Sequence, residues 1–271
     1  MSLMDLVHSG KKHKPRRTMV YGVRAIGKST FAHLAPKPVF IQTSEEGLGD
    51  IDTDSLPFCN TFDDVMHQIM MVWADEHNYE TLVIDTATSL DHLIKKQVAE
   101  DKGVGSVGDI GYGKAPAMCM QYWQKFIDGI TSIWNGRNMG VIIVAHQATI
   151  KVKDPHHDDY DKFTPRLDPL ASDALQDWCD EILFMRDEIF VTKKQDGFSQ
   201  KTTATSADQR IMLCNAKPTH DAKNRLNMPD QLPLRYSAYR EYIEAAQNTN
   251  VNNESADSAQ TPNDKEQSNA S

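Results

Sequence analysis

Short apolar runs alternate along the chain with longer stretches in which apolar residues recur at helical spacing. The runs lie at 18–21, 39–42, Thr81–Asp85, 140–145 and 181–185. The helical stretches lie at 29–34, 61–76, 89–101, 115–134 and 172–178. This alternation predicts an α/β fold with a parallel sheet wrapped by helices. The runs at 81–85 and 140–145 are unbroken, as expected of strands covered on both faces. A later pair, 189–193 and 210–214, flanks a polar turn at Asp196 and Gly197 and reads as antiparallel. The expected architecture is therefore three-layer α/β, with a mostly parallel sheet and an antiparallel C-terminal extension.

Polar segments bound this pattern. Residues 1–16 read as a flexible basic leader, 17–246 as the folded domain and 247–271 as a disordered polar tail. Lys11, Lys12, Lys14, Arg16 and Arg17 cluster at the leader's end and read as a solvated arm. Two long connections interrupt the domain: 103–114, with five glycines, and 151–169, with acidic residues, His156, His157 and three prolines. The adjacent histidines make a poor metal-ligand set. No run of eighteen apolar residues predicts a membrane span, and the basic leader lacks the apolar stretch of a secretory signal. Cys59, Cys119, Cys179 and Cys214 are widely spaced, which favours free thiols and a cytoplasmic location. The net charge of −9 argues against coating duplex DNA through a general positive field.

The chemistry is concentrated in Tyr21-Gly22-Val23-Arg24-Ala25-Ile26-Gly27-Lys28-Ser29-Thr30, which satisfies G-x-x-x-x-G-K-[ST] between a strand and a helical stretch. Its glycines let the backbone wrap a phosphate chain, and amides at the helix start face the anion. In such a loop Lys28 reaches the β- and γ-phosphates of ATP and the Ser29 hydroxyl ligates magnesium. A second metal-orienting carboxylate is expected at the end of a neighbouring strand, and Asp85 stands there. Hydrolysis also needs a group that orients or deprotonates water. Glu45, with Glu46 in reserve, follows the second strand at the sheet end where ligands bind. The run 140–145 leads into His146 and Gln147; Gln147 is the expected γ-phosphate sensor, with His146 beside it. The expected catalytic set is thus Lys28, Glu45, Asp85 and Gln147.

In this order the motifs look like a RecA-like core. They resemble more closely the phage-encoded RecA-type ATPases associated with single-strand annealing and recombination. The resemblance spans about 17–243 and is carried by 21–31, Thr81–Asp85, Asp109-Ile110-Gly111-Tyr112-Gly113-Lys114, and Ala222-Lys223-Asn224-Arg225-Leu226 followed by Leu232-Pro233. Lys223-Asn224-Arg225 resembles the start of the Lys-Asn-Arg-Phe-Gly motif of bacterial RadA ATPases, although Leu226-Asn227 stand where Phe-Gly would. The resemblance implies a RecA-like P-loop NTPase using magnesium and ATP, assembled as a homo-oligomeric ring or filament. It implies Lys223 and Arg225 as a finger on the neighbouring subunit's γ-phosphate. It also implies single-stranded DNA on the long loops, with Tyr112 for stacking and Lys114 for phosphate. Lys151, Lys153, Lys162, Phe163 and Arg166 offer further contacts, weakened by Asp154, Asp158, Asp159 and Asp161.

Two other classes remain open. A small-molecule kinase would carry an arginine-rich lid, whereas 151–169 is acidic with one arginine. An ATP-dependent loader would recruit a protein partner, such as a phage or host recombination or replication protein.

Overall fold

From β1 (Arg17–Gly22) the chain runs through α1 (Lys28–His33), β2 (Pro38–Gln42), α2 (Phe62–Ala74), β3 (Thr81–Asp85), α3 (Ala87–Asp101), α4 (Ala115–Ser132) and β4 (Gly140–Val152). It continues through β5 (Tyr160–Pro165), α5 (Pro169–Trp178), β6 (Glu181–Asp196), β7 (Ser199–Leu213), β8 (Gln231–Pro233) and α6 (Tyr236–Asp257). The computed structural model describes residues 14–45, 48–111, 113–196 and 199–257, with backbone alone at 190–208 and 249–257.

The main sheet has the order β2-β3-β4-β1-β6-β7-β8. β2, β3, β4, β1 and β6 pair in parallel, and β7 and β8 add antiparallel strands beyond β6. Successive side chains of a strand point to opposite faces, so each apolar run feeds two cores. Met19, Tyr21, Leu82, Ile84, Val141, Ile143 and Phe184 face a layer built by α2, α3, α4 and α5. Val20, Val83, Ile142, Val144, Leu183 and Met185 face the other layer, built by α1 and α6. This explains why the central strands lack polar alternation. The three-layer α/β class expected above is the observed one.

Helix starts are written locally. Thr61 and Asp64 form a reciprocal capping box at α2. The Thr86 hydroxyl accepts from the Ser89 amide at 3.1 Å, which starts α3 where β3 ends. All four cysteines are free and buried. Cys59, Cys119 and Cys179 lie in the layer under α2–α5, and Cys214 lies in the layer under α1 and α6.

Several boundaries differ from expectation. The end of the leader is anchored: Lys14 Nζ stands 4.2 Å over the Trp134 ring, and Arg16 is paired with Glu181. The polar stretch from 247 continues α6 to Asp257; 258–271 lie outside the described residues, as do 1–13. Much of the connection at 151–169 is a β-ribbon, because β4 runs on to Val152 and pairs antiparallel with β5. β6 is a single strand, taking both the 181–185 run and the first arm of the antiparallel pair, whose turn residues 197–198 lie outside the described set.

At the amino ends of the parallel strands, Glu181 is fully buried and accepts from Arg16 Nε at 3.0 Å, from Arg16 Nη2, and from the Tyr239 hydroxyl at 2.9 Å. The Thr18 hydroxyl in turn bonds the Tyr239 oxygen at 2.8 Å. Tyr239→Phe removes one partner from each of two buried groups, so it should destabilise the protein by about 1–3 kcal/mol. A urea midpoint unchanged from wild type would contradict this.

Candidate functional site

The loop after β1 owes its shape to two glycines. Gly22 sits against β6 so closely that a Cβ there would stand 2.2 Å from the Met185 carbonyl oxygen. Gly27 takes φ +109°, a left-handed conformation that glycine adopts without steric cost, and α1 begins immediately after it. Between them Ala25 also has positive φ, at 60°. The loop thereby folds back over the carboxyl end of β1.

Lys28 is buried, and its Nζ donates to the Gly22 and Val23 carbonyls at 3.2 and 2.7 Å. The Ser29 hydroxyl donates to Asp85 Oδ2 at 2.6 Å. Burial pushes the Asp85 carboxyl above its usual range, opposed by the Ser29 hydrogen bond and the Lys28 charge. These groups line a cavity of about 200 Å³ with Arg24, Ala25, Gly27, Thr30, Ser44, Thr86, His146 and Arg210. Serine hydroxyl and aspartate carboxylate are hard oxygen donors, the type magnesium takes when substrate phosphates and water complete its shell. The donor set fits that ion, and Ser29 and Asp85 are the residues that would hold it. Among the described residues no group of three or more His, Cys, Asp or Glu side chains could hold a metal by itself.

Asp85 is not on the strand next to β1. β4 lies between them, and its register with β1 brings His146 level with Gly22. The ends are pinned to one another by hydroxyls that sequence reading missed. The Thr43 hydroxyl donates to the Thr86 carbonyl at 2.7 Å and accepts from the Thr86 amide at 2.8 Å. The Thr88 hydroxyl accepts from the His146 amide at 2.9 Å. A Thr following a strand-ending Asp was the only local hint of this pinning.

Two expected catalytic groups lie elsewhere. Gln147 is not among the residues lining the cavity; it pairs with Pro165 where β4 runs on beside β5. His146 lines the cavity instead, because residues 142, 144 and 146 share the face that carries α1. Its Nδ1 is buried without a hydrogen-bond partner. Burial, then the Lys28, Arg166 and Arg24 charges, hold its pKa down to about 4. The folded value lies below the ordinary 6.5, so this group costs stability as the pH falls from 6.5 towards 4. Its ring should titrate near 4 by NMR in nucleotide-free protein and move upward when an anion enters; a midpoint of 6.5 would contradict the placement. Glu45 is exposed and outside the cavity lining, where Ser44 stands; Glu46 lies outside the described residues.

Lys223 and Arg225 are employed within their own chain. Lys223 Nζ donates to the Gln176 and Asp177 carbonyls at the end of α5, at 2.8 and 3.1 Å. Arg225 Nη1 pairs with Asp180 at 2.9 Å, beside the Arg17 guanidinium that also binds Asp180. The intervening Asn224 accepts from the Leu226 and Met228 amides and organises the turn. All of this sits at the amino end of β1, opposite the loop. Lys114 is exposed at the start of α4, and Tyr112 lies outside the described residues. In the β4–β5 ribbon, Lys162 is paired with Asp221 at 2.5 Å and the Phe163 ring centroid lies 5.3 Å from that of Phe184. Neither presents the free cation or ring face expected of it.

Loop, carboxylate and α/β sheet together define a P-loop protein. The chain belongs to the AAA domain family, which matches it over residues 14–226. Among solved structures, the RadB recombinase is similar at a TM-score of 0.45 and 12% sequence identity, over 81% of this chain and 87% of that one. No curated protein matches.

Proposed function

We propose that this protein is a RecA-like, magnesium-dependent ATPase that works as a homo-oligomer on single-stranded DNA in recombination, repair or replication. The observation that carries the nucleotide reading is the 2.6 Å contact between Ser29 and Asp85 beside the Lys28 loop. One metal on a phosphate chain can be shared by those two oxygens while Lys28 exchanges loop carbonyls for phosphate. His146 takes the place first given to Gln147: its side chain lines the cavity, where it can sense the terminal phosphate. The DNA and assembly readings rest on the resemblance to phage-encoded RecA-type ATPases, with the remaining exposed lysines of the 103–114 and 151–169 segments as contact candidates.

ATP turnover should rise several-fold with single-stranded DNA, and sizing in magnesium and ATP should show higher assemblies. Turnover unchanged by single-stranded DNA but raised by a nucleoside or sugar acceptor would replace this reading with the kinase.

A further inference from the structure

We propose that Arg210 is a phosphate-binding residue of this chain's own nucleotide site, reached by giving up Asp187 on the neighbouring strand. This rests on the P-loop reading and adds to it a cation that the loop motif does not contain. Arg210 stands on β7 directly across the ladder from Asp187 on β6, at the point where the register shifts before Ile189. Its side chain lies over the phosphate loop rather than away from it. Nη1 donates to the Ile26 carbonyl at 3.2 Å and lies 3.7 Å from where a Cβ on Gly27 would be. The same side chain lines the cavity together with Lys28, Ser29, Asp85 and His146.

The present partners of Arg210 are easily exchanged. Its Nε is 3.8 Å from Asp187 Oδ1, with the two side chains 55% and 50% exposed. An ion pair so long and so wet contributes little. The Ile26 carbonyl is a neutral acceptor. A phosphate offers the planar guanidinium two charged oxygens at once, giving shorter and stronger bonds than either. A nucleotide's phosphates therefore outcompete both partners. The opposing reading is a surface arginine that braces the loop through Ile26, and the two make different predictions.

The test is titration of magnesium tripolyphosphate into the full chain by calorimetry, which probes the phosphate contacts without a base. Arg210→Ala should weaken binding about 10- to 100-fold, with the ligand-free thermal midpoint unchanged. Arg210→Lys should recover only part of the loss, because a point charge replaces a fork. Asp187→Ala should tighten binding, and the gain should shrink in the Arg210→Ala background, since the two residues act through one contact. Equal affinity in wild type and Arg210→Ala overturns the proposal. So does a loss matched by a lower ligand-free midpoint, which is the bracing role. Lys28→Ala separates the two levels. If wild type binds, Lys28→Ala does not and Arg210→Ala is unaffected, only the Arg210 assignment falls; if wild type itself fails to bind, the P-loop reading falls and takes Arg210 with it.

Discussion

Lys28→Ala is expected to lower ATP turnover by about 100-fold or more while the protein remains folded. The Lys28 ammonium is buried and spans the loop, holding the Gly22 and Val23 carbonyls at 3.2 and 2.7 Å. Those carbonyls are neutral partners that the ammonium can exchange for a charged phosphate oxygen. The charge also opposes the upward push of burial on the Asp85 carboxyl. Removing it therefore harms the site twice: a phosphate partner is lost, and Asp85 is driven further towards its protonated, non-ligating form. The fold should survive, because the cores on both faces of the sheet are built from apolar residues and Lys28 belongs to neither. Turnover measured with saturating ATP, beside a circular dichroism spectrum matching wild type, is the check. Wild-type turnover in this variant would remove the P-loop assignment.

Gly22→Ala should damage stability and nucleotide binding together, the stability loss being about 1–3 kcal/mol. The added Cβ would meet the Met185 carbonyl oxygen at 2.2 Å. That oxygen is backbone in a parallel strand registered against Gly22, so no side-chain rotation relieves the clash. Either β6 or the loop must move, and the loop cannot move without displacing the carbonyls that hold Lys28. Gly49→Ala is the matched control: a Cβ there meets nothing within 4 Å, and the change should stay within about 0.5 kcal/mol. Paired urea curves and nucleotide titrations distinguish the two sites. Indistinguishable curves would mean that β6 does not press on the loop.

What could be read from the sequence was local. The glycine spacing around Lys28 and the acid ending Thr81–Asp85 are backbone and strand-end requirements, so they appear as contiguous residues. The two-face burial of the central strands was visible in their unbroken apolar runs. Strand order was not, because nothing within Thr81–Asp85 or Gly140–Val152 records that β4 inserts between β1 and β3. The exchange of Gln147 for His146 is a matter of strand parity: residue 144 and residue 20 both face α1, and 146 follows in step. Parity could have been counted, but only with knowledge of which face α1 covers. Arg210 reaches Ile26 across 184 residues and had no local signature at all. Lys223 and Arg225 show the converse, since their contacts within the chain, to the end of α5 and to Asp180, had no local signature either.

The partition of the cysteines between the two layers provides a built-in probe. A thiol reacts as its thiolate, and burial pushes Cys59 and Cys214 up to about 12. Alkylation of native protein therefore waits on opening of the layer that shields each sulfur. Pulse labelling with peptide mapping would time the release of α1 and α6 through Cys214, and that of α2–α5 through Cys59, Cys119 and Cys179. The two helical coats could thus be followed separately in one sample, with no engineered reporter.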